Sequence, residues 1–172
     1  MWDHLPPASL LGAGAALGGN GSTYQDCFTV PLGPAPVTLD EAIPAFFHSA
    51  PPWFDALMGL RNTLVKPFGL KTGSGPAPVL TPPFRVGQSI GVFRLVALAP
   101  DEAVFGEDDR HLDFRASILI RRTEQGQSLA LSTVVTVHNG LGRCYLAVVK
   151  PFHRLIVPIM AGNMARLLHK AV

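Results

Sequence analysis

The sequence predicts an α+β domain in which a curved antiparallel sheet wraps around a long carboxyl-terminal helix. Three observations indicate this: one strand followed by two short helical segments, four runs of strand character between residues 86 and 138, and about 31 residues of helical character after them. The chain has 172 residues, of which 48% are hydrophobic and 15% charged, so one domain with a sizeable core is expected.

The chain is predicted to begin its fold with one strand and two short helices. Residues 24–31 alternate enough to form a strand, and Thr38 with Glu41 three residues later is a capping box at the start of a helix. Pro44 lies inside this helix and is expected to bend it. A second helix is predicted by apolar residues at helical spacing: Trp53, Leu57, Leu60 and Leu64.

The remaining strands follow a proline-rich segment at residues 71–84, which we interpret as a mobile surface loop. The runs with strand character are 86–97, 102–107, 111–122 and 127–138. Short turns lie between neighbouring runs, so the sheet is predicted to be an antiparallel meander, with its last strand buried on both faces. The third run has one apolar face, which is expected to point inward: Leu112, Phe114, Ala116, Ile118 and Ile120.

The chain from Leu141 to Ala171 is predicted to form one helix, about 46 Å long if straight. A compact domain of this size has a radius of gyration of about 16 Å, so the helix is expected to bend at Pro151 and Pro158. A rigid helix cannot close tightly on a curved sheet along its whole length, so we expect an apolar cavity between them. The helix side predicted to face the sheet consists of Tyr145, Val148, Val149, Phe152, Leu155, Ile156 and Ile159.

Composition and motifs do not indicate several classes of function. The 14 basic and 12 acidic side chains give a net charge of +2, which does not indicate nucleic acid or an anionic membrane as a partner. No nucleotide-binding loop or nucleophile elbow is found in the sequence, and no cofactor is predicted. Cys27 and Cys144 have neither zinc-site nor disulfide spacing, and we expect reduced thiols in a cytoplasmic protein.

Residues 1–23 are predicted to be a loosely ordered arm that precedes a single domain at 24–172. No transmembrane segment is predicted, because three polar residues interrupt the most apolar stretch: Lys150, His153 and Arg154.

An acidic cluster lies where the third strand run begins: Glu107, Asp108, Asp109, His111 and Asp113. Carboxylates and an imidazole in this proximity are potential metal ligands, but their spacing matches no known metal-binding loop and no metal is predicted. The same residues suit a polar network at the entrance of the cavity, or a solvated turn and strand face.

The candidate catalytic residues are Asp109, His111 and His138. A histidine paired with a carboxylate such as Asp109 can act as a base near neutral pH, whereas a hydrogen-bonded structural histidine is the alternative for His138. Asn139 is expected to cap the long helix.

Apolar candidates for ligand binding are Phe46, Phe47, Trp53, Leu57, Phe93, Tyr145 and Phe152. His153 and Asn163 are polar residues on or beside the inward side of the helix, where a ligand's polar head would satisfy them. In the alternative, the bend at Pro158 turns Asn163 and Arg166 toward water.

Three arginines are further candidates for ligand binding. Arg61 and Arg94 are single candidates for anchoring a carboxylate, and Arg115 lies on the polar face of the third strand run, which is either solvated or lines a polar site.

The predicted order of elements is that of the helix-grip architecture. The segments 53–71, 106–115 and 133–157 also resemble an uncharacterised bacterial family, domain of unknown function 2867, and the resemblance runs from about Tyr24 to Leu168. GEDDRHLDFR and PFHRLIV are its most distinctive pieces. The resemblance implies membership of the START-like superfamily of polyketide cyclases and lipid transport proteins (SRPBCC). Members of that superfamily mostly bind hydrophobic small molecules, but the resemblance implies no catalytic residues.

Three functions follow as hypotheses. The leading one is a protein that holds a hydrophobic or amphipathic small molecule between sheet and helix. The second is a cyclase or dehydratase acting on a polyketide-like substrate. The third is a protein-interaction module of the same fold, for example a homodimer.

Overall fold

The computed structural model describes residues 2–3, 22–65, 80–90, 93–124 and 126–170. These residues form one antiparallel sheet and three helices. The strands are β1 (Trp2–Asp3), β2 (Ser22–Pro31), β3 (Ser89–Ile90), β4 (Phe93–Leu98), β5 (Glu102–Asp108), β6 (Leu112–Thr123) and β7 (Gly126–Val137). The helices are α1 (Leu39–His48), α2 (Phe54–Val65) and α3 (Gly140–Lys170). Of the loop predicted at 71–84, residues 80–84 form neither helix nor strand, and the others lie outside the described residues.

The strands lie in the order β1-β2-β7-β6-β5-β4-β3, and every neighbouring pair is antiparallel. The run from β3 to β7 is the predicted meander, and β2 pairs with β7 on its other side. Together with the long helix α3, this is a helix-grip-like α+β fold, as predicted. Trp2 and Asp3 of the predicted arm form β1 beside β2, while residues 4–21 lie outside the described part of the chain.

The single strand predicted at residues 86–97 is wrong. The structure has two strands there, β3 and β4, which pair antiparallel. The residues before β3 form a turn in which the Gln88 amide donates to the Arg85 carbonyl oxygen at 3.0 Å. Gly87 in this turn has a φ of 92°, a left-handed conformation that glycine adopts easily and that is not extended, so the strand begins only at Ser89.

The inner face of the sheet is apolar and is covered by two helices. α3 packs on β2, β7 and α1, whereas α1 packs on β5 and β6. The predicted inward face of β6 is confirmed, and β7 is buried on both faces from Leu129 to Val135, also as predicted. The centre of the core contains Ile43, Leu95, Ile118, Leu129 and Met164, each at most 1% exposed.

The long helix α3 runs without interruption through Pro151 and Pro158. Its buried side chains lie in the carboxyl-terminal half: Ile156, Val157, Met160, Ala161, Met164 and Leu168. This half holds the helix in the core.

The prediction that the whole apolar side of α3 faces the sheet is wrong. Val148, Phe152 and Leu155 have exposed fractions of 58%, 44% and 57%. A helical wheel orders side chains around the axis but does not show which side docks. α3 docks through the side that carries His153 and Ile156, so these three residues point away from the sheet.

Both predicted helix caps are confirmed. At the start of α1, the Thr38 amide donates to Glu41 Oε2 at 2.8 Å, within a complete capping box. At the start of α3, the Gly142 amide donates to Asn139 Oδ1 at 3.1 Å. Asn139 therefore satisfies one of the free amides of the first helical turn.

The start of α3 also contacts the turn between β5 and β6. The His138 amide donates to the His111 carbonyl oxygen at 3.0 Å, and Asn139 Nδ2 donates to the Arg110 carbonyl oxygen at 3.1 Å. A Cβ atom added at Gly142 would lie 2.2 Å from the His111 carbonyl oxygen. A residue without a side chain is therefore required for helix and turn to approach this closely.

We expect Gly142→Ala to destabilise the protein by about 1–3 kcal/mol, because the backbone of the turn must move to admit a methyl group. Gly162→Ala is a matched control in the same helix, since its added Cβ meets no heavy atom within 4 Å. The control is expected to stabilise the protein by about 0.5–1 kcal/mol, because alanine favours helix. Urea unfolding measures both effects. Equal stabilities for the two variants would contradict the close approach at Gly142.

Candidate functional site

A buried polar group lies between β2 and α3. The Tyr24 hydroxyl donates to Asp26 Oδ2, and His153 Nε2 lies 3.1 Å from the same carboxylate oxygen. The side chain of Asp26 is 6% exposed and that of His153 is 20% exposed. We call these three residues the polar trio.

The strand and the helix each place part of the trio. Alternation along β2 points Tyr24 and Asp26 to the inner face, where Asp26 lies opposite Thr133 of β7. On α3, His153 and Lys150 are three residues apart and so share one side of the helix. The Nζ atom of Lys150 lies 4.9 Å from the ring centre of Tyr24, a cation–π contact that adds to the contact of His153 with Asp26.

Hydrogen bonds within the trio compensate the free-energy cost of burying the Asp26 carboxylate. Burying a charged group is unfavourable unless hydrogen-bond partners or an opposite charge compensate it, and Tyr24 and His153 surround Asp26. Burial raises the pKa of Tyr24 above its ordinary value, and the hydrogen bond to Asp26 and the charge of Asp26 raise it further, against a smaller opposing effect of Arg154. The Tyr24 hydroxyl therefore stays protonated at neutral pH.

Five phenylalanines form a second feature of the inner face, the aromatic patch: Phe46, Phe47, Phe93, Phe105 and Phe114. Phe105 is 1% exposed, whereas the other four are only half-buried. Neighbouring ring centres lie 5.2–6.4 Å apart, in the range of favourable aromatic contacts. The patch joins α1 to strands β4, β5 and β6.

On the inner face, strands β7 and β6 separate Asp26 of the trio from Phe105 of the aromatic patch. One row across the inner face runs from Asp26 through Thr133 and Ala116 to Phe105. α3 covers the β2 and β7 end of this row, and α1 covers the β5 and β6 end. Ala116 is only half-buried although it lies in the middle of the sheet. We use the name inner crevice for the partly exposed surface of Ala116 and Phe114, beside which α3 covers β2 and β7 and α1 covers β5 and β6.

The best-formed cavities among the described residues lie elsewhere. One of about 320 Å³ is lined by α1 and α3 at Pro44, His48 and Leu167. The other, of about 360 Å³, lies on the outer face of the sheet, beside Arg94 and Arg115. Neither lies between the sheet and the long helix, where the cavity was predicted.

The candidate catalytic residues lie at the β5–β6 turn and at the start of α3. Asp109 Oδ1 accepts from the His111 amide at 3.1 Å, and His111 Nδ1 lies 2.9 Å from Asn139 Nδ2. His138 Nε2 lies 3.0 Å from Asp113 Oδ2, so the carboxylate beside His138 is Asp113, not Asp109, which was named as an example. These contacts tie the turn to the helix.

The acidic cluster is divided by its strands. Asp108 forms an ion pair with Arg115 at 2.6 Å, and Asp113 pairs with His138. Within the part of the chain that the structure describes, no three His, Cys, Asp or Glu side chains come together as metal ligands.

The predicted apolar lining is brought together only in part. Phe46, Phe47 and Phe93 meet in the aromatic patch. Tyr145 is half-buried in a separate cluster with Leu112, Val135 and Val137. Three candidates lie at other places: Phe152 and Trp53 are exposed, and Leu57 is half-buried on α2.

The remaining polar candidates have separate partners. Asn163 Nδ2 donates to the Ser49 carbonyl oxygen at 2.7 Å and so ties α3 to the end of α1, while Arg166 donates to Asn163 Oδ1 at 2.8 Å. Arg94 and Arg115 lie at the outer cavity. The Arg61 side chain lies outside the described residues.

The sequence interpretation missed Tyr24 and Asp26 as site residues, together with Phe105, Phe114 and Ala116. A signal was present for the first two. Tyr24 and Asp26 share their strand face with Phe28 and Val30, so Asp26 is a lone carboxylate on an otherwise apolar face. Ala116 is one of five apolar residues on its strand face, and its partial exposure is visible only in the folded chain.

A family model described as protein of unknown function (DUF2867) matches residues 19–160. The chain belongs to the DUF2867 family. No curated protein matches the chain. The segment shared with the DUF2867 family contains the polar trio, the aromatic patch and the turn that contacts α3, whereas Asn163 and Arg166 lie beyond it.

Ultraviolet titration tests the environment of Tyr24. Tyr145→Phe leaves Tyr24 as the single tyrosine, and we expect it to ionise above the ordinary tyrosine pKa of about 10. Adding Asp26→Asn is expected to lower this pKa, because the carboxylate charge is lost, although burial keeps it above the ordinary value.

Asp113→Asn is the control, since it removes the carboxylate beside His138 and is expected to leave the Tyr24 pKa unchanged. Because the folded-state pKa is raised, the contribution of Tyr24 to stability is full below pH of about 10 and falls as the pH rises further. Ionisation at the ordinary pKa in the single-tyrosine protein would show that Tyr24 is not held by Asp26.

Proposed function

We propose that this protein binds an amphipathic small molecule in the inner crevice, as a START-like (SRPBCC) helix-grip protein. One observation carries the proposal. Half-buried phenylalanines and the half-buried Ala116 lie at the centre of the inner face, beside a polar group that is otherwise enclosed. An apolar surface that is neither packed nor on the outside of a domain is typical of a ligand site.

The aromatic patch suits the apolar body of the ligand. Transfer of apolar surface out of water contributes about 25 cal/mol per Å², so a ligand that covers about 200 Å² gains about 5 kcal/mol before the costs of association. The ring centres of Phe93 and Phe114 lie 5.9 Å apart, and the angle between the two ring planes is 37°. Both flat aromatic molecules and acyl chains can pack on such a surface.

The polar trio suits a head group that forms hydrogen bonds. If His153 is neutral and Nε2 carries the proton given to Asp26, Nδ1 is left as an acceptor. The Tyr24 hydroxyl donates to Asp26 and contacts Arg154, which leaves its oxygen one further acceptor site. A hydroxyl group of the ligand would complete this network, which favours an alcohol, a phenol or a protonated acid.

A variant that fills the crevice tests the site. Ala116→Phe places a ring in the inner crevice, and we expect it to weaken binding of fatty acids or aromatic polyketide-like compounds at least tenfold. Ser89→Phe is the matched control, since Ser89 is exposed on the other face of the sheet and its substitution leaves affinity unchanged. Fluorescence titration measures affinity, and native extraction with mass spectrometry identifies bound species.

If Ala116→Phe does not fold, a second variant tests the same site. Phe93→Ala removes one wall of the aromatic patch and is also expected to weaken binding. Unchanged affinity in both variants, or a purified protein that takes up none of these compounds, would contradict the proposal.

The contact of Asp26 with His153 favours a second candidate function, proton transfer on the bound molecule, as in a cyclase or dehydratase. In that case His153→Gln and Asp26→Asn abolish turnover of a polyketide-like substrate, while His111→Ala and His138→Ala leave it intact. Turnover that survives loss of His153 would contradict its role in proton transfer, and absence of turnover in the unmodified protein would eliminate the enzyme function and leave binding in place.

A further inference from the structure

The first half of α3 carries an exposed apolar surface that the inner crevice does not use. We call it the apolar stripe: Cys144, Ala147, Val148, Pro151, Phe152 and Leu155, all of them exposed. Successive members are one or three residues apart, so they lie along one side of the helix over about 17 Å. Single exposed apolar residues are common, but a continuous row marks an interaction surface.

The charges beside the stripe indicate which partner it suits. From residue 140 to 170 the chain contains no Asp or Glu. Arg143 and Arg154 are exposed on the same half of the helix, and Lys150 lies between them. A surface that is apolar along its centre and basic at its side matches an anionic lipid bilayer, which offers acyl chains below negative head groups.

A second copy of the chain matches this surface less well. Two identical stripes facing each other would bring Arg143 and Arg154 of both copies together, and this helix supplies no acidic residue to compensate them. Like charges at such an interface oppose association.

The helix lies on a bilayer more readily than it crosses one. The helix segment Gly140–His169 is long and apolar enough to span a membrane. Its most apolar stretch of 18 residues has a mean hydropathy of 1.3, and 22% of that stretch is buried in the protein. However, Ala161 and Met164 in the second half are fully buried in the core. Spanning would pull these residues out, whereas contact through the stripe leaves the core intact.

We propose that the apolar stripe docks on anionic membrane surfaces, with α3 lying parallel to the bilayer. This inference does not depend on the inner crevice binding a ligand. Bound in this way, Val148, Phe152 and Leu155 enter the interface, and Arg143 and Arg154 contact the head groups.

Sedimentation with vesicles tests the proposal. Vesicles of phosphatidylcholine with about one third phosphatidylglycerol are expected to bind the full chain at least tenfold more strongly than vesicles of phosphatidylcholine alone, and added salt reduces the difference. The triple variant Val148→Ser, Phe152→Ser and Leu155→Ser is expected to lose at least tenfold in partitioning. Its urea midpoint should stay unchanged, because the side chains are exposed.

Charge reversal separates the stripe from a general effect of charge. Arg143→Glu with Arg154→Glu is expected to reduce binding to anionic vesicles at least tenfold. Arg121→Glu with Arg122→Glu is the matched control, since both arginines are exposed at the end of β6. It changes the net charge equally and should leave most of the binding intact.

Three results would overturn the proposal. One is equal binding to both kinds of vesicle, another is no binding to either, and the third is an equal loss in the two charge-reversal variants. Light scattering gives a further result that would overturn it. If the protein self-associates without binding vesicles, and the triple serine variant abolishes this self-association, the stripe binds a second copy of the chain.

Discussion

The fold depends on how the long helix is divided between burial and exposure. The second half of α3 enters the core, where Ala161 and Met164 are fully buried. The first half is held by Asn139 and Gly142 at the turn between β5 and β6 and by His153 at Asp26, and Tyr145 packs in an apolar cluster with Leu112 and Val135. Its other side, with Val148, Phe152 and Leu155, remains an exposed apolar surface.

Most of the fold could be predicted because its signals are local. Alternation showed the inner face of β6, and the capping residues Thr38 and Asn139 showed where two helices begin. The split of β3 from β4 was missed because apolar residues continue from Ile90 to Phe93, so the hydrophobic pattern does not mark a reversal of the chain there. The exposure of Phe152 was missed because two sides of α3 are apolar and only tertiary packing chooses between them.

The candidate site was less predictable, since it joins residues from distant parts of the chain. Phe46, Phe47 and Phe93 were expected to line a ligand site and do meet, and His153 was expected to have a polar role. Its partner Asp26 lies 127 positions earlier. That pairing follows from β2 lying beside β7 under α3, which the pattern of a single sequence does not contain.

Phe152 and His153 are consecutive residues of one rigid helix, yet the first faces outward and the second reaches the carboxylate of Asp26. A force applied to the outward side of this turn is therefore transmitted directly to the imidazole, with no intervening loop to absorb it. A single peptide bond therefore joins Phe152 at the surface to His153, the residue that contacts the buried carboxylate of Asp26.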